Sequence, residues 1–250
     1  MTDQHFTYLL RLADSPLILA QRLSEWSGHA PVLEEDLALS NMALDMIGQA
    51  RLLLTHAGRV ESRDRGEDQL AFLRTENEYR NLTMVELPNG DFGQTVLRNF
   101  LFSAYQVEMW KRLQTSTDTE LAAIAAKSIK ESTYHLSHSA DWVVRLGDGT
   151  EESHRRMQAA LDQLWPYSAE LFDTDETDRA AAANGMGVDP STLESGWQIT
   201  VSQVIGEATL TQPENTPFVS SGKAGRHSEH MGHLLGELQY MQRTFPGAQW

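Results

Sequence analysis

The sequence predicts an all-α bundle of long helices, and three observations support this class. Nearly every segment repeats apolar residues with the helical period, and no segment shows strand alternation bounded by hairpin turns. Hydrophobic residues make up 40% of the 250 residues, which is enough to bury a sizeable core. No repeat, low-complexity tract or linker divides the chain. We therefore expect one helical domain that spans residues 1–250.

Three helices are predicted before the first strong turn. The first covers about residues 4–27 and ends at Gly28, and the second covers about 33–57 with acidic residues in its first turn. The third, at about 67–86, ends at the turn signal PNGD. The apolar side of the first helix consists of Leu9, Leu12, Leu19 and Leu23.

The two central helices have clear N-terminal signals. Asp91 can cap a fourth helix at about 92–115. Thr117 or Asp118 can cap a fifth helix that runs without interruption to Gly147. These two helices are long enough to form the centre of a bundle.

The last third of the chain is less regular. A sixth helix begins at Thr150, a short helix closes at a glycine, and an Asp-Pro pair opens a seventh helix. A loop of fourteen residues, QPENTPFVSSGKAG, then precedes the last helix and the tail PGAQW. Pro166 marks the end of the sixth helix, Gly185 closes the short helix, and Asp189 with Pro190 opens the seventh helix. The last helix covers about residues 226–244.

Charge and cysteine content exclude several classes of function. The formal net charge of −15 repels nucleic-acid backbones and anionic lipids, so we expect neither nucleic acid nor a membrane as partner. Absence of cysteine excludes disulfides, zinc-thiolate sites and iron–sulfur clusters held by this chain. Asp3, Arg11 and Asp14 interrupt the N-terminal apolar run, which therefore predicts neither a signal peptide nor a membrane span. We expect a cytoplasmic protein.

Two predicted helices carry polar patches at mid-length. On the fifth helix, alternating steps of four and three residues lead through a stripe that is apolar at its ends and small and polar in its middle. On the second helix, Leu37 and Leu52 bracket a similar polar patch. Such patches are typical of a metal site buried among four helices, although small and polar residues also allow close helix packing. The patches are Asn41, Asp45 and Gly48 on the second helix, and Ser128, Ser132, His135 and Ser139 on the fifth.

The ligand pattern of a di-iron site is broken on both helices. Such a site takes a Glu-x-x-His pair from each of two helices and a lone Glu from each of two others. Asp45 and Gly48 provide a shortened carboxylate without an imidazole, whereas Ser132 and His135 provide an imidazole without a carboxylate. We expect these four degenerate positions to hold no metal. For His135, a buried histidine, a ligand and an inherited metal-free position remain alternatives.

Other carboxylates and histidines are weaker candidates. Glu76, Glu78 and Glu108 could supply lone carboxylates, and Glu131 lies one turn before His135, but exposed acidic residues are the simpler interpretation. One literal Glu-x-x-His pair, Glu151 with His154, lies in a first helical turn, where acids suit the helix dipole. A further cluster in RHSEHMGH could bind a divalent ion at the surface or form a solvated helix start. Its histidines are His227, His230 and His233.

Several long stretches resemble one known family. They are LILAQRLSEWSGHAPVLEEDLALSNMALDMIGQAR, LPNGDF, KSIKESTYHL and EHMGHLLGELQYMQRTFPGAQW. Together they are similar to the C subunits of bacterial phenylacetyl-CoA epoxidases, also called ring 1,2-phenylacetyl-CoA monooxygenases, along nearly the whole chain.

The resemblance implies a ferritin-like fold and a structural role. It implies a stable complex with a homologous A subunit that carries the di-iron centre and binds the CoA thioester. A small B subunit and a flavin and iron–sulfur reductase complete the implied system, which uses NADPH and O₂. The degenerate positions agree with a C subunit that holds no cofactor of its own, and homodimer formation is a further option when the A subunit is missing.

Two functions therefore stay open. The favoured one is a non-catalytic partner that supports a di-iron subunit through a large, permanent interface. The alternative is a metalloenzyme with an unorthodox di-iron or mononuclear site that uses Asp45, Glu131, His135 and Glu108.

Overall fold

The computed structural model describes residues 2–248 and shows an all-α chain. The described residues contain no β-strand, and Ser221 and Arg226 form an isolated β-bridge. The α-helices are α1 (Thr2–Ser24), α2 (Leu33–Glu61), α3 (Glu67–Phe72), α4 (Thr83–Glu86), α5 (Phe92–Leu113), α6 (Thr119–Gly147), α7 (Glu151–Leu164), α8 (Ala169–Phe172), α9 (Glu176–Ala183), α10 (Glu194–Glu207), α11 (Glu229–Leu238) and α12 (Tyr240–Thr244). Short 3₁₀ helices lie at Glu76–Glu78, Trp165–Ser168, Pro190–Leu193 and Gly222–Ala224.

The helices group into two compact units. The first contains the residues up to Pro88 together with those from Ser220 onward, and the second contains Asn89–Val219. The first unit is thus built from two separate stretches of chain, whereas the second is continuous. A single domain over residues 1–250 stays a prediction.

In the first unit, α1 packs along α2. The four leucines predicted for the apolar side of α1 are all buried, which confirms that prediction. On α2 the buried apolar side includes Leu39, Met42 and Met46, each fully buried. α4 packs against α1, and α11 packs against α4.

In the second unit, α5 is buried on almost every side. It packs along α6 and also contacts α7 and α10. The predicted caps are confirmed, because an Asp91 side-chain oxygen accepts a hydrogen bond from Gln94 N at 2.9 Å, and Asp118 accepts from Glu120 N and Leu121 N, both at 3.1 Å. The start of α7 after Thr150 and the left-handed glycine at Gly185 (φ +69°) also agree with the sequence.

The predicted third helix over 67–86 is wrong. Only α3 and α4 are α-helical there, and the segment between them is held by the buried carboxylate of Asp14 on α1. Asp14 accepts two hydrogen bonds from the Arg74 guanidinium, at 2.5 and 2.8 Å, and one from the Arg80 backbone N–H at 2.8 Å. A backbone N–H bound to a distant carboxylate is not available for a helical bond, so the helix is interrupted here.

The predicted last helix over 226–244 is also divided. It begins at Glu229, and the break between α11 and α12 lies at Gln239. The Gln239 side-chain amide is buried and donates to the backbone oxygen of Arg74 at 2.9 Å and to the Tyr79 hydroxyl at 3.1 Å. Gln249 and Trp250 of the predicted tail lie outside the described residues. Within residues 2–248 no helix is long and apolar enough to span a membrane.

Candidate functional site

A row of small and polar side chains follows the contact between α5 and α6. The α5 members are three residues apart and the α6 members follow steps of four, three and four, so each set lies on one side of its helix. All six are at most 1% exposed. We call this set the polar seam, and it consists of Ser103, Gln106, Ser128, Ser132, His135 and Ser139.

Neutral hydrogen bonds run through the polar seam. The Ser132 hydroxyl donates to the side-chain oxygen of Gln106 at 3.4 Å, and the Ser139 hydroxyl donates to the His135 backbone oxygen at 2.6 Å. The hydroxyls of Ser103 and Ser128 have no hydrogen-bond partner among the described residues. Buried hydroxyls are usually satisfied by protein groups or by ordered water.

The donor set of the polar seam does not fit iron. Gln106 offers an amide oxygen, Ser132 offers a hydroxyl, and His135 is the seam's imidazole. Di-iron sites neutralise the charge of two cations with carboxylates, and the six residues of the seam include no carboxylate. The prediction that Ser132 and His135 are buried on one side of the fifth helix is confirmed. The prediction that they hold no metal remains untested.

On α2 the predicted polar patch lies on the wrong side of the helix. Leu37 is 56% exposed and Leu52 is 36% exposed, while Asp45 and Gly48 are half-buried. The side of α2 that faces the core instead carries the fully buried Met46 together with other apolar residues. Because α2 has leucines on both sides, its helical period was predictable but its rotation about the axis was not.

The remaining carboxylate candidates have local partners. Glu108 accepts from Lys111 at 2.6 Å and lies against Gly196 of α10, where an added Cβ would be 2.7 Å from its carboxylate oxygen. Glu131 lies 3.6 Å from Lys127. Glu76 and Glu78 lie in an exposed 3₁₀ helix, and Glu78 accepts from the Thr75 backbone N–H at 2.7 Å. These contacts are those of ordinary surface or edge carboxylates.

The histidine candidates also have separate environments. His154 Nδ1 lies 2.7 Å from the Gly147 backbone oxygen, to which it can donate, and Glu151 is exposed. In the C-terminal cluster, the side chain of His227 is fully buried whereas His233 is exposed. The interpretation of this cluster as a solvated helix start is therefore wrong for His227, and the alternative of a surface ion site shared by all three histidines does not fit its burial either.

The first unit contains a buried carboxylate that was not predicted from the sequence. Glu86 is fully buried at the end of α4. One of its oxygens accepts from Asn81 at 2.8 Å and from His227 Nδ1 at 2.7 Å, and the other accepts from the Ser228 backbone N–H at 2.5 Å. The other ring nitrogen of His227 lies 3.2 Å from the Tyr79 backbone oxygen. We call these five residues the Glu86 cluster.

The Glu86 cluster favours a protonated histidine. Burial lowers the pKa of His227, but the hydrogen bond and negative charge of Glu86, together with the Tyr79 carbonyl, outweigh it, so the pKa is raised from its ordinary value. An imidazolium can donate from both ring nitrogens, as the two acceptors require. The one signal in the sequence was a Glu inside the apolar run MVEL.

Long paired helices with a polar seam at mid-length define the class, an all-α protein of ferritin-like type. The chain belongs to the family described as phenylacetic acid catabolic protein, which matches residues 1–250. It is 48% identical over 248 residues to the C subunit of 1,2-phenylacetyl-CoA epoxidase from Escherichia coli (strain K12). That similarity covers 99% of this chain and 100% of the relative, and it confirms the resemblance found in the sequence.

Proposed function

We propose that this chain is a non-catalytic structural subunit of a multicomponent phenylacetyl-CoA epoxidase that acts in phenylacetate breakdown in the cytoplasm. Its partner is a homologous A-type subunit that carries the di-iron centre, and a B-type subunit and a reductase complete the system. The family and the similarity to the C subunit of the E. coli epoxidase support the pathway and the role of a subunit.

The absence of carboxylates among the six residues of the polar seam is the observation that supports the non-catalytic role. Epoxidation inserts one atom of O₂ into the ring and reduces the other to water with two electrons from NADPH, and a di-iron centre in the A-type subunit supplies this chemistry. In the polar seam, the amide oxygen of Gln106 and the hydroxyl oxygen of Ser132 lie next to each other, and both groups are uncharged. Two bound cations would require negatively charged carboxylates there. This chain therefore contributes support to its partner and no cofactor.

Metal content and activity test the proposal together. This chain, the A-type subunit and their mixture are each purified, analysed for iron, and assayed with the B-type subunit, reductase, NADPH, O₂ and phenylacetyl-CoA. We expect no stoichiometric iron and no oxidation with this chain alone. We also expect low solubility or activity for the A-type subunit alone, and full activity for the mixture, with all iron on the A-type subunit.

Two results would contradict the proposal. About two irons per chain that survive gel filtration would favour the metalloenzyme alternative, since a di-iron site holds two. An A-type subunit that is soluble and fully active without this chain would show that no structural support is needed.

A further inference from the structure

A pocket lined mainly by arginines lies in the first unit, where α1, the end of α2 and the segment after α3 meet. Its volume is about 350 Å³, within the range of small-ligand sites. Four guanidiniums and two carboxylates line it, so its charged lining is net positive by two in a chain whose formal net charge is −15. We call it the arginine pocket, and its charged residues are Glu61, Arg63, Arg65, Arg74, Glu78 and Arg80.

Two of the four arginines have a carboxylate partner within the chain. The buried Arg74 guanidinium binds the Asp14 carboxylate. Arg65 Nε donates to Glu61 at 2.7 Å, and this hydrogen bond raises the pKa of Arg65 above its ordinary value. Glu61 also lies 3.7 Å from Arg63 Nη1. One carboxylate is thus shared by two guanidiniums, so it does not balance their charge.

Arg80 is the least compensated cation of the arginine pocket. Its side chain is half-buried, and Nη1 donates to the backbone oxygens of Asn77 at 2.7 Å and Tyr79 at 2.8 Å. Within the described residues its guanidinium forms no ion pair, and its Nε and Nη2 groups have no hydrogen-bond partner. These N–H donors are therefore available to an anion that enters the pocket.

The surroundings of Arg80 also favour an added negative charge. Burial lowers the pKa of Arg80, Asp14 opposes this effect, and the positive charges of Arg74 and Arg11 add to the lowering. The pKa of Arg65, which has its own carboxylate, is shifted in the opposite direction. A bound anion would stabilise the charged form of the Arg80 guanidinium in the same way.

The local geometry restricts Arg63 and Arg80 before a ligand binds. Gly225 lies against Arg80, where an added Cβ would be 2.6 Å from Nη1. Arg63 lies between Ser62 and Asp64, which both have φ +58°, a left-handed conformation that is uncommon outside glycine. Unusual backbone conformations of this kind cluster at ligand sites. The restriction lowers the cost of ordering these side chains on binding.

The lining selects a phosphate group as the ligand. Phe6 and Leu10, the large apolar residues beside the pocket, are only 9% and 5% exposed, so an apolar ligand would find little surface to bury. A guanidinium presents paired N–H donors that match two oxygens of a phosphate or a carboxylate. A phosphate monoester carries a charge of about −1.5 to −2 at pH 7, which matches the net positive lining better than the single charge of a carboxylate.

We propose that the arginine pocket binds a phosphate dianion, either as inorganic phosphate or as the terminal group of a small phosphate monoester, with Arg63 and Arg80 as its main contacts. Arg65 and Arg74 border the site and keep their carboxylate partners. The inference does not depend on the proposed function, so its failure would leave that function intact.

Titration calorimetry with the full chain tests the site. The probes are inorganic phosphate and glycerol 3-phosphate, each at about pH 8, where phosphate is a dianion because its second pKa is about 6, with acetate as a singly charged comparison. We expect one site with a Kd of about 1 mM or lower for at least one phosphate probe. Acetate should bind at least about tenfold more weakly, and added NaCl should weaken phosphate binding.

Substitutions in the arginine pocket identify the contacts. Arg63→Gln removes the charge of a side chain that is 75% exposed, so this variant should keep wild-type thermal unfolding. Arg80→Lys keeps the charge and removes the paired donors. We expect each variant to weaken phosphate binding by about tenfold or more. Arg155→Gln is the matched control, because Arg155 is a 66% exposed arginine on α7, and it should change the affinity less than about twofold.

The outcomes separate the possibilities. Binding of only one phosphate probe would assign the ligand to free phosphate or to phosphate monoesters, and either result supports the inference. Absence of binding by both probes at about 10 mM would overturn it, and so would equal affinity for acetate. Wild-type affinity in Arg63→Gln would also overturn it, whatever Arg80→Lys does, since Arg63→Gln does not depend on the half-buried Arg80.

Discussion

Glu86 shows how one buried carboxylate can connect distant parts of a chain. Its side chain accepts hydrogen bonds from residues on both stretches that build the first unit, and its backbone oxygen accepts from the Arg22 guanidinium at 2.7 and 3.1 Å. A buried carboxylate is stable only when such donors surround it. The Glu86 cluster should therefore influence stability more than any exposed ion pair of this protein.

Stability should depend on pH through His227. Since the pKa of His227 is higher in the folded protein than its ordinary value, its contribution is fully present below about pH 6.5 and is lost as the pH rises through the folded pKa. We expect Glu86→Gln to lower the free energy of unfolding by about 1.5–3 kcal/mol at pH 6, and by less at pH 9. Urea unfolding at both pH values measures the difference.

A histidine control accompanies this measurement. His233→Gln removes an exposed histidine from α11 and should leave the pH dependence of wild type unchanged. If the loss caused by Glu86→Gln were as large at pH 9 as at pH 6, the protonated histidine would not be the origin of the effect.

The ion pair of Asp14 and Arg74 gives a second prediction at this scale. The two side chains are 0% and 2% exposed, and the Arg74 guanidinium lies 4.2 Å from the centre of the Tyr79 ring. Asp14→Asn leaves a buried cation without its anion, so we expect a loss of about 3–5 kcal/mol in the free energy of unfolding. Chemical denaturation measures it, and a loss below about 1 kcal/mol, the value of a surface pair, would contradict the assignment.

Helices differ in how much of their environment the sequence determines. On α6 the apolar ends and the small polar middle share one side, so both its period and its buried side were predictable from residues such as Leu121 and Ser128. On α2 an apolar core side competes with an exposed side that also carries leucines, including Leu37 and Leu44, and sequence alone could not choose between the two sides. The mistaken rotation of α2 is thus a consequence of its exposed leucines.

Gly48→Ala should stabilise the isolated chain. It replaces a poor helix former inside α2 where an added Cβ meets nothing within 4 Å, so the free energy of unfolding should rise by up to about 1 kcal/mol. Thermal unfolding of the isolated variant measures the change, and a destabilised variant would show that the chain itself requires glycine at this position.

The polar seam can be tested by adding carboxylates. Gln106→Glu with Ser132→Glu provides a lone carboxylate on α5 and a Glu-x-x-His pair that ends at His135. We expect the double variant to bind about one Co²⁺ per chain, detected by its visible absorption, at a cost of about 1–3 kcal/mol in stability from overpacking. The same two substitutions with His135→Ala serve as the control. A folded double variant that binds no more Co²⁺ than wild type would show that the polar seam cannot arrange metal ligands.

At the scale of the whole chain, local signals predicted the helices and long-range contacts decided the exceptions. Caps such as Asp91 and Asp118 and the punctuating residue Pro166 act within a few residues, so they could be interpreted directly. The broken third helix and the break at Gln239 depend on partners from 60 to 165 residues away in sequence, which no local pattern contains. The same limit hid the Glu86 cluster, whose hydrogen-bonded partners are up to 148 residues apart in sequence.

The discontinuous first unit has a consequence for the order in which a ribosome delivers the chain. Residues of the continuous second unit can all be outside the exit tunnel before Ser220 emerges from it, whereas Glu86 must wait until His227 and Ser228 have also emerged. We therefore expect nascent chains arrested with Val219 just exposed to resist proteolysis in α5–α10 but not in α1–α4. Equal protection of both units at that arrest point would contradict this order. Folding during translation would then proceed from the middle of the chain, and the earliest helices to emerge would be the last to become protected.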